Sequence, residues 1–403
     1  MKVIFPRASK IRGRITAPPS KSMAHRLLLC AALAPGRSTV ARAGASDDVK
    51  VTLNFIRALG ISVEEEGEKI RIQGGGAPGK GRLSADMRES GTTLRLAIPI
   101  LWALGREGSL SLRGRLGLRP LGVYEDLAAR RGLQLERTGS LLEVSGQLFP
   151  GDYQLDGSVS SQFISGMLLA LSLLPGRSSL SLRPPVVSEG YIHMTLAALR
   201  AFGVEVAGRG TAEAPYLLGG RGPLHPGDHT VEGDHSSAVF FEALNALGHE
   251  VHILGLDKDS HQPDRRGREL MEALMSGETV DLDGAPDLGP VLFALAALTG
   301  GGEFTGTQRL HQKESDRIRS MAEELEKVGA KVVEESEGLT VTGASHPPRG
   351  IFSSHGDHRI LMALSLVALH FGGTVAGAES IKKSFPEFWE ALRQLKIDFS
   401  LAP

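Results

Sequence analysis

Six times along the chain a short turn rich in Ser, Thr, Gly or Asp opens an apolar run of about a dozen residues, and this recurrence limits the fold more than any other feature. The openings are Ser20-Lys21-Ser22-Met23-Ala24-His25-Arg26, Glu89-Ser90-Gly91-Thr92-Thr93-Leu94-Arg95, Ser158-Val159-Ser160-Ser161-Gln162-Phe163, Gly233-Asp234-His235-Ser236-Ser237-Ala238, Asp287-Leu288-Gly289-Pro290-Val291 and Gly356-Asp357-His358-Arg359-Ile360. They lie roughly seventy residues apart with one shorter step. Each run stops at glycine or Pro-Gly: Pro35-Gly36, Gly105, Pro175-Gly176, Gly248, Gly300 and Gly372. In the first, Pro18 and Pro19 keep the approach extended and Ser20 or Ser22 caps the helix. Free amide N–H groups, a positive dipole end, two hydroxyls, Lys21 and, one turn along from Ser22, Arg26 then face one small volume. That is a site for an anion. One capped apolar helix is ordinary core; six with polar mouths point to a shared task.

Between these runs a second unit recurs: an amphipathic helix, a glycine, then an alternating strand. It reads Arg57-Ala58-Leu59-Gly60-Ile61-Ser62-Val63, Ala129-Arg130-Arg131-Gly132-Leu133-Gln134-Leu135, Arg200-Ala201-Phe202-Gly203-Val204-Glu205-Val206 and Glu326-Lys327-Val328-Gly329-Ala330-Lys331-Val332. The fourth copy, near Gly277, and the sixth, Arg393 to Phe399 without the glycine, read as degraded. Each copy is βαβαββ-like, which places the chain in the α+β or mixed α/β class. The longest break in the rhythm, Gly219 to Gly233, has three copies on either side and is the expected main domain boundary.

Composition excludes several function classes. Lys+Arg 45 against Asp+Glu 46 leaves no global field to gather nucleic acid, so anion binding must come from local clusters. The one cysteine, Cys30, lies inside an apolar helix, which rules out an intrachain disulfide framework and suits a reducing cytoplasm. The apolar runs are too short to span a bilayer, and Arg and Lys interrupt the N-terminal stretch before any signal-type core. Three patterns imitate other sites. Gly74 to Gly81 fits GxxxxGK but has Gly81 where a P-loop needs Ser or Thr. His225, His229 and His235 with Asp228 and Asp234 imitate a zinc cluster but fall in the break. Asp281, Asp283 and Asp287 lack the Gly and distal Glu of a calcium loop.

The chain resembles the enolpyruvyl transferases, and within them the branch that acts on shikimate 3-phosphate. The resemblance rests on Ser20-Lys21-Ser22 with Arg26, Ser90 to Arg95, Arg119-Pro120, Ser160-Ser161-Gln162, Ser188 with Tyr191, Asp287, Lys313-Glu314-Ser315-Asp316-Arg317, Asp357-His358-Arg359 and Lys383-Ser384-Phe385-Pro386. It implies a two-lobed fold, each lobe holding three βαβαββ repeats around buried parallel helices whose N-termini face the cleft. The first lobe is expected at 14–226 and the second at 1–13 with 227–403, so that the chain crosses twice. The implied reaction transfers the enolpyruvyl group of phosphoenolpyruvate to the 5-hydroxyl of shikimate 3-phosphate, releasing phosphate.

For phosphoenolpyruvate the resemblance implies Lys21, Gly91, Arg119, Gln162, Arg317, Arg359 and Lys383, since guanidinium forks meet carboxylate and phosphate in bidentate fashion. For shikimate 3-phosphate it implies Lys21, Ser22, Arg26, Ser160, Ser161, Gln162, Ser188, Tyr191, Asp287 and Lys313. The hydroxyl loses a proton as it adds to C2, while C3 gains one and later returns it, so one acid/base group must reverse roles. Glu314, between Lys313 and Arg317 in sequence, is the candidate at C3; Lys21 is expected near the leaving group and Asp287 on the attacking hydroxyl. The division of proton transfers between Lys21 and Glu314 is open at this point. No cofactor and no metal are implied, and the expected protein is a cytoplasmic monomer without nucleic-acid or membrane partners. Gly91 keeps the small residue that lets phosphoenolpyruvate, or the inhibitor glyphosate, come close to the backbone. The sequence departs from the pattern at Glu89, where many relatives carry Asn, and at Arg309, where they carry Asn or another residue. The rival readings are transfer to UDP-N-acetylglucosamine, whose enzymes usually have Asn after the N-terminal Lys and a Cys in a glycine-rich loop, and a non-catalytic sugar-phosphate-binding protein. Ser22 and the helical Cys30 weigh against the first; Lys21, Asp287 and Glu314 together weigh against the second.

Overall fold

A computed structural model describes residues 1–75, 81–219, 224–336 and 338–403, and divides the chain into the unit Pro19–Glu232 and the unit Met1–Pro18 with Gly233–Pro403. Residues 76–80 of the GxxxxGK match and 220–223 of the sequence break lie outside the described residues.

In the unit Pro19–Glu232 the helices are α1 (Lys21–Leu33), α2 (Asp47–Ala58), α3 (Gly91–Leu104), α4 (Gly122–Arg131), α5 (Ser161–Leu171) and α6 (Glu189–Ala201). α1, α3 and α5 are the first three apolar runs and are buried over most of their length. Their polar openings do what the sequence requires of them: Ser20, Ser90 and Ser160 accept from the amides of Met23, Thr93 and Gln162, so the exposed N–H ends are capped locally. Of the two candidate caps on α1, Ser20 is the one used. Each copy carries its own sheet. Gly36–Ala41 pairs with Lys69–Gly74, which pairs with Ser62–Glu66, all antiparallel, while Asp228–Thr230 adds to the first strand in parallel. Leu83–Asp86, Gly108–Ser111, Leu141–Ser145 and Gln134–Thr138 repeat that order, and Asp152–Asp156, Ser178–Arg183 and Tyr216–Leu218 give a shorter third version.

α3 packs closely against α5, where a Cβ on Gly166 would lie 2.5 Å from the Arg95 carbonyl oxygen. Pro99 sits inside α3 and has no N–H to give the carbonyl of Arg95 one turn back. The Tyr124 hydroxyl from α4 takes that role, 2.8 Å from the Arg95 oxygen and 2.9 Å from that of Phe163. Gly166 makes room, since a Cβ there would lie 2.4 Å from the same hydroxyl.

In the other unit the helices are α7 (His235–Ala246), α8 (Gly267–Met275), α9 (Gly289–Thr299), α10 (Arg317–Leu325), α11 (His358–Phe371) and α12 (Phe388–Gln394). α7, α9 and α11 are the remaining apolar runs; Asp234 caps α7 and Asp357 caps α11. α9 starts differently: Asp287 makes no side-chain cap and lies in a 3-10 turn, Pro286–Leu288. The fourth copy is reduced, as its sequence reads, to the parallel pair Arg12–Thr16 and Glu250–Leu254. The sixth is not. Lys396, at φ +55°, makes the left-handed turn that glycine makes elsewhere, and Ser400–Ala402 follows as a strand. Lys2–Phe5 inserts between it and Gly373–Ala376, antiparallel to both.

These pairings move the expected boundaries from 13/14 and 226/227 to 18/19 and 232/233. Arg12–Thr16 belongs wholly to the fourth copy, and Asp228–Thr230 to the first. Among the described residues no helix is long and apolar enough to cross a membrane. Cys30 is buried, and burial pushes its thiol up to about 12. His229 stacks on Phe202 with ring centroids 4.2 Å apart, and the His235 ring reaches the Asp257 carbonyl at 2.9 Å.

Candidate active site

In the unit Pro19–Glu232 the implied residues gather at the openings of α1, α3, α5 and α6. Lys21 is the first residue of α1, and its ammonium lies 2.7 Å from the Asp48 carboxylate in the first turn of α2. Arg26, one turn further, is 2 % exposed. Its Nε donates to Thr195 Oγ1 at 2.8 Å and its terminal nitrogens to the Ser22 carbonyl at 2.7 Å, Ser165 Oγ at 3.2 Å and the Tyr191 carbonyl at 2.9 Å. Arg26 therefore ties α1 to α5 and α6. Burial lowers its guanidinium to about 10, which leaves it charged at neutral pH.

Arg119 follows the 3-10 turn Gly114–Leu118, and a Cβ on Gly91 would come 2.5 Å from its terminal nitrogen. Beside it Arg95 donates to Gln162 Oε1 at 2.7 Å and lies 5.0 Å from the Phe163 ring centre. Gln162 in turn donates to Thr92 at 2.9 Å. Burial, then the like charge of Arg119, lowers Arg95 to about 10. The Nε atoms of Arg95 and Arg119 are buried without a hydrogen-bond partner, and the terminal nitrogens of Arg95 go to Gln162 and the Pro120 carbonyl, neither of them a carboxylate. Two unopposed cations side by side favour an anionic ligand. Ser160 caps α5, Ser161 is its first residue, and Ser188, in the left-handed region at φ +52°, precedes α6 with Tyr191 in its first turn.

In the other unit the 3-10 turn before α9 presents Asp287 to Lys313 Nζ at 3.2 Å and to an Arg317 terminal nitrogen at 2.9 Å. Burial alone would raise this carboxyl, but the charges of Lys313, Arg317 and Arg359 hold it well below the usual carboxylate range. Burial also lowers Lys313, against the attraction of Asp287. Arg317, 2 % exposed at the start of α10, also donates from Nε to Asp357 at 2.9 Å. Arg359 donates to the carbonyl of Ser236 at 2.6 Å and to its hydroxyl at 2.7 Å, while its Nε is buried without a partner. Lys383 donates to the Gly356 carbonyl at 2.9 Å.

Glu314 does not pair with Lys313, its neighbour in sequence; its carboxylate lies 2.8 Å from His358 Nδ1. Glu314, Asp357 and His358 bring ligand-type atoms within 4.8 Å of one another. Asp357 accepts from Arg317, Ser315 and the Arg359 amide. Of the two positions that depart from the family pattern, Arg309 pairs with Asp283 at 2.8 Å and Glu89 lies against Gly114.

Several participants were not picked out from sequence. His358 and Arg95 fall inside quoted blocks, and only their partners reveal them. Asp48 reads as an ordinary first-turn acid. His25 lies in a buried chain of hydroxyls, Thr52 to Thr93 to Ser90, with links of 2.7, 2.7 and 2.8 Å; burial lowers its imidazole to about 3, so it stays neutral. That chain joins α1, α2 and α3 near their openings.

Residues 6–392 match the sequence family described as EPSP synthase (3-phosphoshikimate 1-carboxyvinyltransferase). The 3-phosphoshikimate 1-carboxyvinyltransferase of Clostridium kluyveri is 35% identical over 98% of this chain and 97% of its own length. That of Clostridium perfringens is 34% identical over 98% of each. Among solved structures, an EPSP synthase from Acinetobacter baumannii superposes with a TM-score of 0.79 at 26% identity, covering 100% of this chain and 99% of that one.

Proposed function

The chain belongs to the EPSP synthase family, the 3-phosphoshikimate 1-carboxyvinyltransferases, and from that membership we propose how its residues divide the reaction. The activity is transfer of the enolpyruvyl group of phosphoenolpyruvate to the 5-hydroxyl of shikimate 3-phosphate with release of phosphate, a step of the shikimate pathway to the aromatic amino acids. UDP-N-acetylglucosamine as acceptor is not favoured, because the relatives that match over nearly the whole chain carry the shikimate name.

Phosphoenolpyruvate, with its carboxylate and phosphate, is held by Arg119, Arg317, Arg359, Lys21 and Lys383, with Gln162 beside them and Gly91 leaving the backbone open. Shikimate 3-phosphate is held by Ser22, Ser160, Ser161, Gln162, Ser188, Tyr191, Lys21 and Lys313, with Arg26 fixing the helix openings as well as supplying charge. Asp287, kept ionised by its cationic neighbours, orients the attacking hydroxyl and takes its proton. Glu314 delivers a proton to C3 and recovers it, with His358 holding its carboxylate; Lys21 stands by the departing phosphate. The observation that carries the anion-holding part of this division is the side-by-side pair Arg95 and Arg119, two like charges close enough for one to lower the other, with the Gly91 backbone open beside them. The proposal extends to a monomer working in the cytoplasm.

The test is phosphate release on mixing phosphoenolpyruvate with shikimate 3-phosphate and, separately, with UDP-N-acetylglucosamine. Release with the first acceptor alone is expected. Release only with the second would reverse the choice of acceptor, and binding of both substrates without release would leave a binding protein.

A further inference from the structure

We propose that Gln262, which lies in the loop after the strand Glu250–Leu254, is a positioning residue for Arg359 and thereby for phosphoenolpyruvate; this rests on the role given to Arg359 above. Gln262 is 3% exposed, and both ends of its amide are engaged. Oε1 accepts from the backbone N–H of His235 at 3.1 Å, and Nε2 donates to the carbonyl of Gly233 at 2.7 Å. An N–H can only donate and a carbonyl can only accept, so the orientation of the amide is fixed by its partners. Its own backbone N–H is pinned to Ser260 Oγ at 3.0 Å. The His235 ring closes the same loop from the other side by donating from Nε2 to the Asp257 carbonyl at 2.9 Å.

These bonds hold the residues that open α7. His235 is the first residue of that helix, its amide is one of the donors without an intrahelical partner, and Gln262 satisfies it. Gly233 has no slack: a Cβ there would lie 2.3 Å from the Gly255 carbonyl. Ser236, which follows His235, receives both terminal nitrogens of Arg359, one on its carbonyl and one on its hydroxyl. A guanidinium held at two points has its plane fixed, and with it the direction of its remaining N–H groups. Removing the Gln262 amide leaves two buried polar groups unsatisfied and frees the turn that sets that aim. The hydrogen bonds of Gln262 go to His235, Gly233 and Ser260 and those of Arg359 to Ser236, so the effect of Gln262 passes through the α7 opening.

The experiment is a double-mutant cycle on the full chain, with Gln262→Ala, Arg359→Lys and the combination, reading KM for phosphoenolpyruvate, kcat and the unfolding temperature. Gln262→Ala is expected to raise KM about ten- to a hundredfold with a smaller change in kcat. The double variant should resemble Arg359→Lys alone, since a displaced partner cannot be lost twice. Gln262→Glu keeps the acceptor for His235 and loses the donor to Gly233, so its KM should fall between parent and alanine; if the alanine variant does not fold, it carries the cycle instead. An unchanged KM in Arg359→Lys removes the role of Arg359 itself. A raised KM in Arg359→Lys whose factor multiplies with that of Gln262→Ala overturns the role of Gln262 alone.

Discussion

Gly91 shows how a single missing carbon sets the geometry of a charge. Its Cβ would meet an Arg119 terminal nitrogen at 2.5 Å, so Gly91→Ala forces the guanidinium aside. The change sits at the first position of α3, at a backbone conformation that alanine also adopts, so the fold should not suffer. We expect KM for phosphoenolpyruvate to rise about tenfold with little change in melting temperature, and we expect glyphosate to compete with phosphoenolpyruvate in the parent and to lose affinity alongside, both read by steady-state kinetics. Glu314, to which we assign the proton at C3, makes the opposite case, since that role would rest on its chemistry more than on its shape. Glu314→Gln keeps the volume and a contact to His358 while removing the proton, so kcat should fall by about 10²–10⁴ with both substrates still bound, read by steady-state kinetics and by titration calorimetry. Normal turnover in that variant would end the assignment of Glu314. These side chains were legible in sequence as members of blocks, but their partners were not: Arg26 finds Thr195 and Ser165 on α6 and α5, across sequence separations that no local pattern encodes.

At the scale of elements, the seam between α3 and α5 depends on three residues from three helices. Tyr124→Phe would leave the Arg95 carbonyl without its donor and should cost about 1–3 kcal/mol in denaturant unfolding. Pro99→Ala restores an N–H in α3 for that same carbonyl, so the double variant should lose less than the sum of its parts. A second element-scale device joins α10 to the turn before α11. Glu324, 2% exposed, accepts from the Ser353 amide at 2.8 Å, from His355 at 2.9 Å and from Lys327 at 2.7 Å. Burial would raise its carboxyl, but these bonds hold it below the ordinary value. A carboxyl lowered on folding contributes stability that is complete above the unfolded-state pKa of about 4.3 and is lost as pH falls through the folded-state value. Glu324→Gln should therefore destabilise at neutral pH and show a shallower loss between about pH 5 and pH 3, measured by thermal unfolding across that range. The caps at Ser20, Ser90, Ser160, Asp234 and Asp357 were readable because a cap and its amide lie within three residues. The strand at Ser400–Ala402 was not, because Lys396 adopts a backbone conformation that sequence rules assign to glycine.

For the whole molecule, the repeat was visible at once and the exchange of strands between copies was not. Periodicity reports which residues face inward, but not which neighbour supplies the missing strand. Lys2–Phe5 lies between Gly373–Ala376 and Ser400–Ala402, with Val3 at 0% and Phe5 at 2% exposure. Val3→Asp buries an unpaired charge and should cost about 3 kcal/mol or more in the unit Met1–Pro18 with Gly233–Pro403. The unit Pro19–Glu232 has its own core, so we expect calorimetry of that variant to resolve two transitions; a single shifted transition would mean that the two units unfold as one.

The same strand imposes an order on biosynthesis. Lys2–Phe5 leaves the ribosome long before either of its partners has been translated, so for most of that time its apolar side chains have nothing to cover them. The segment from Pro19 to Glu232 can meanwhile reach its native arrangement, and Lys2–Phe5 must be kept from aggregating until Gly373–Ala376 and Ser400–Ala402 have been made.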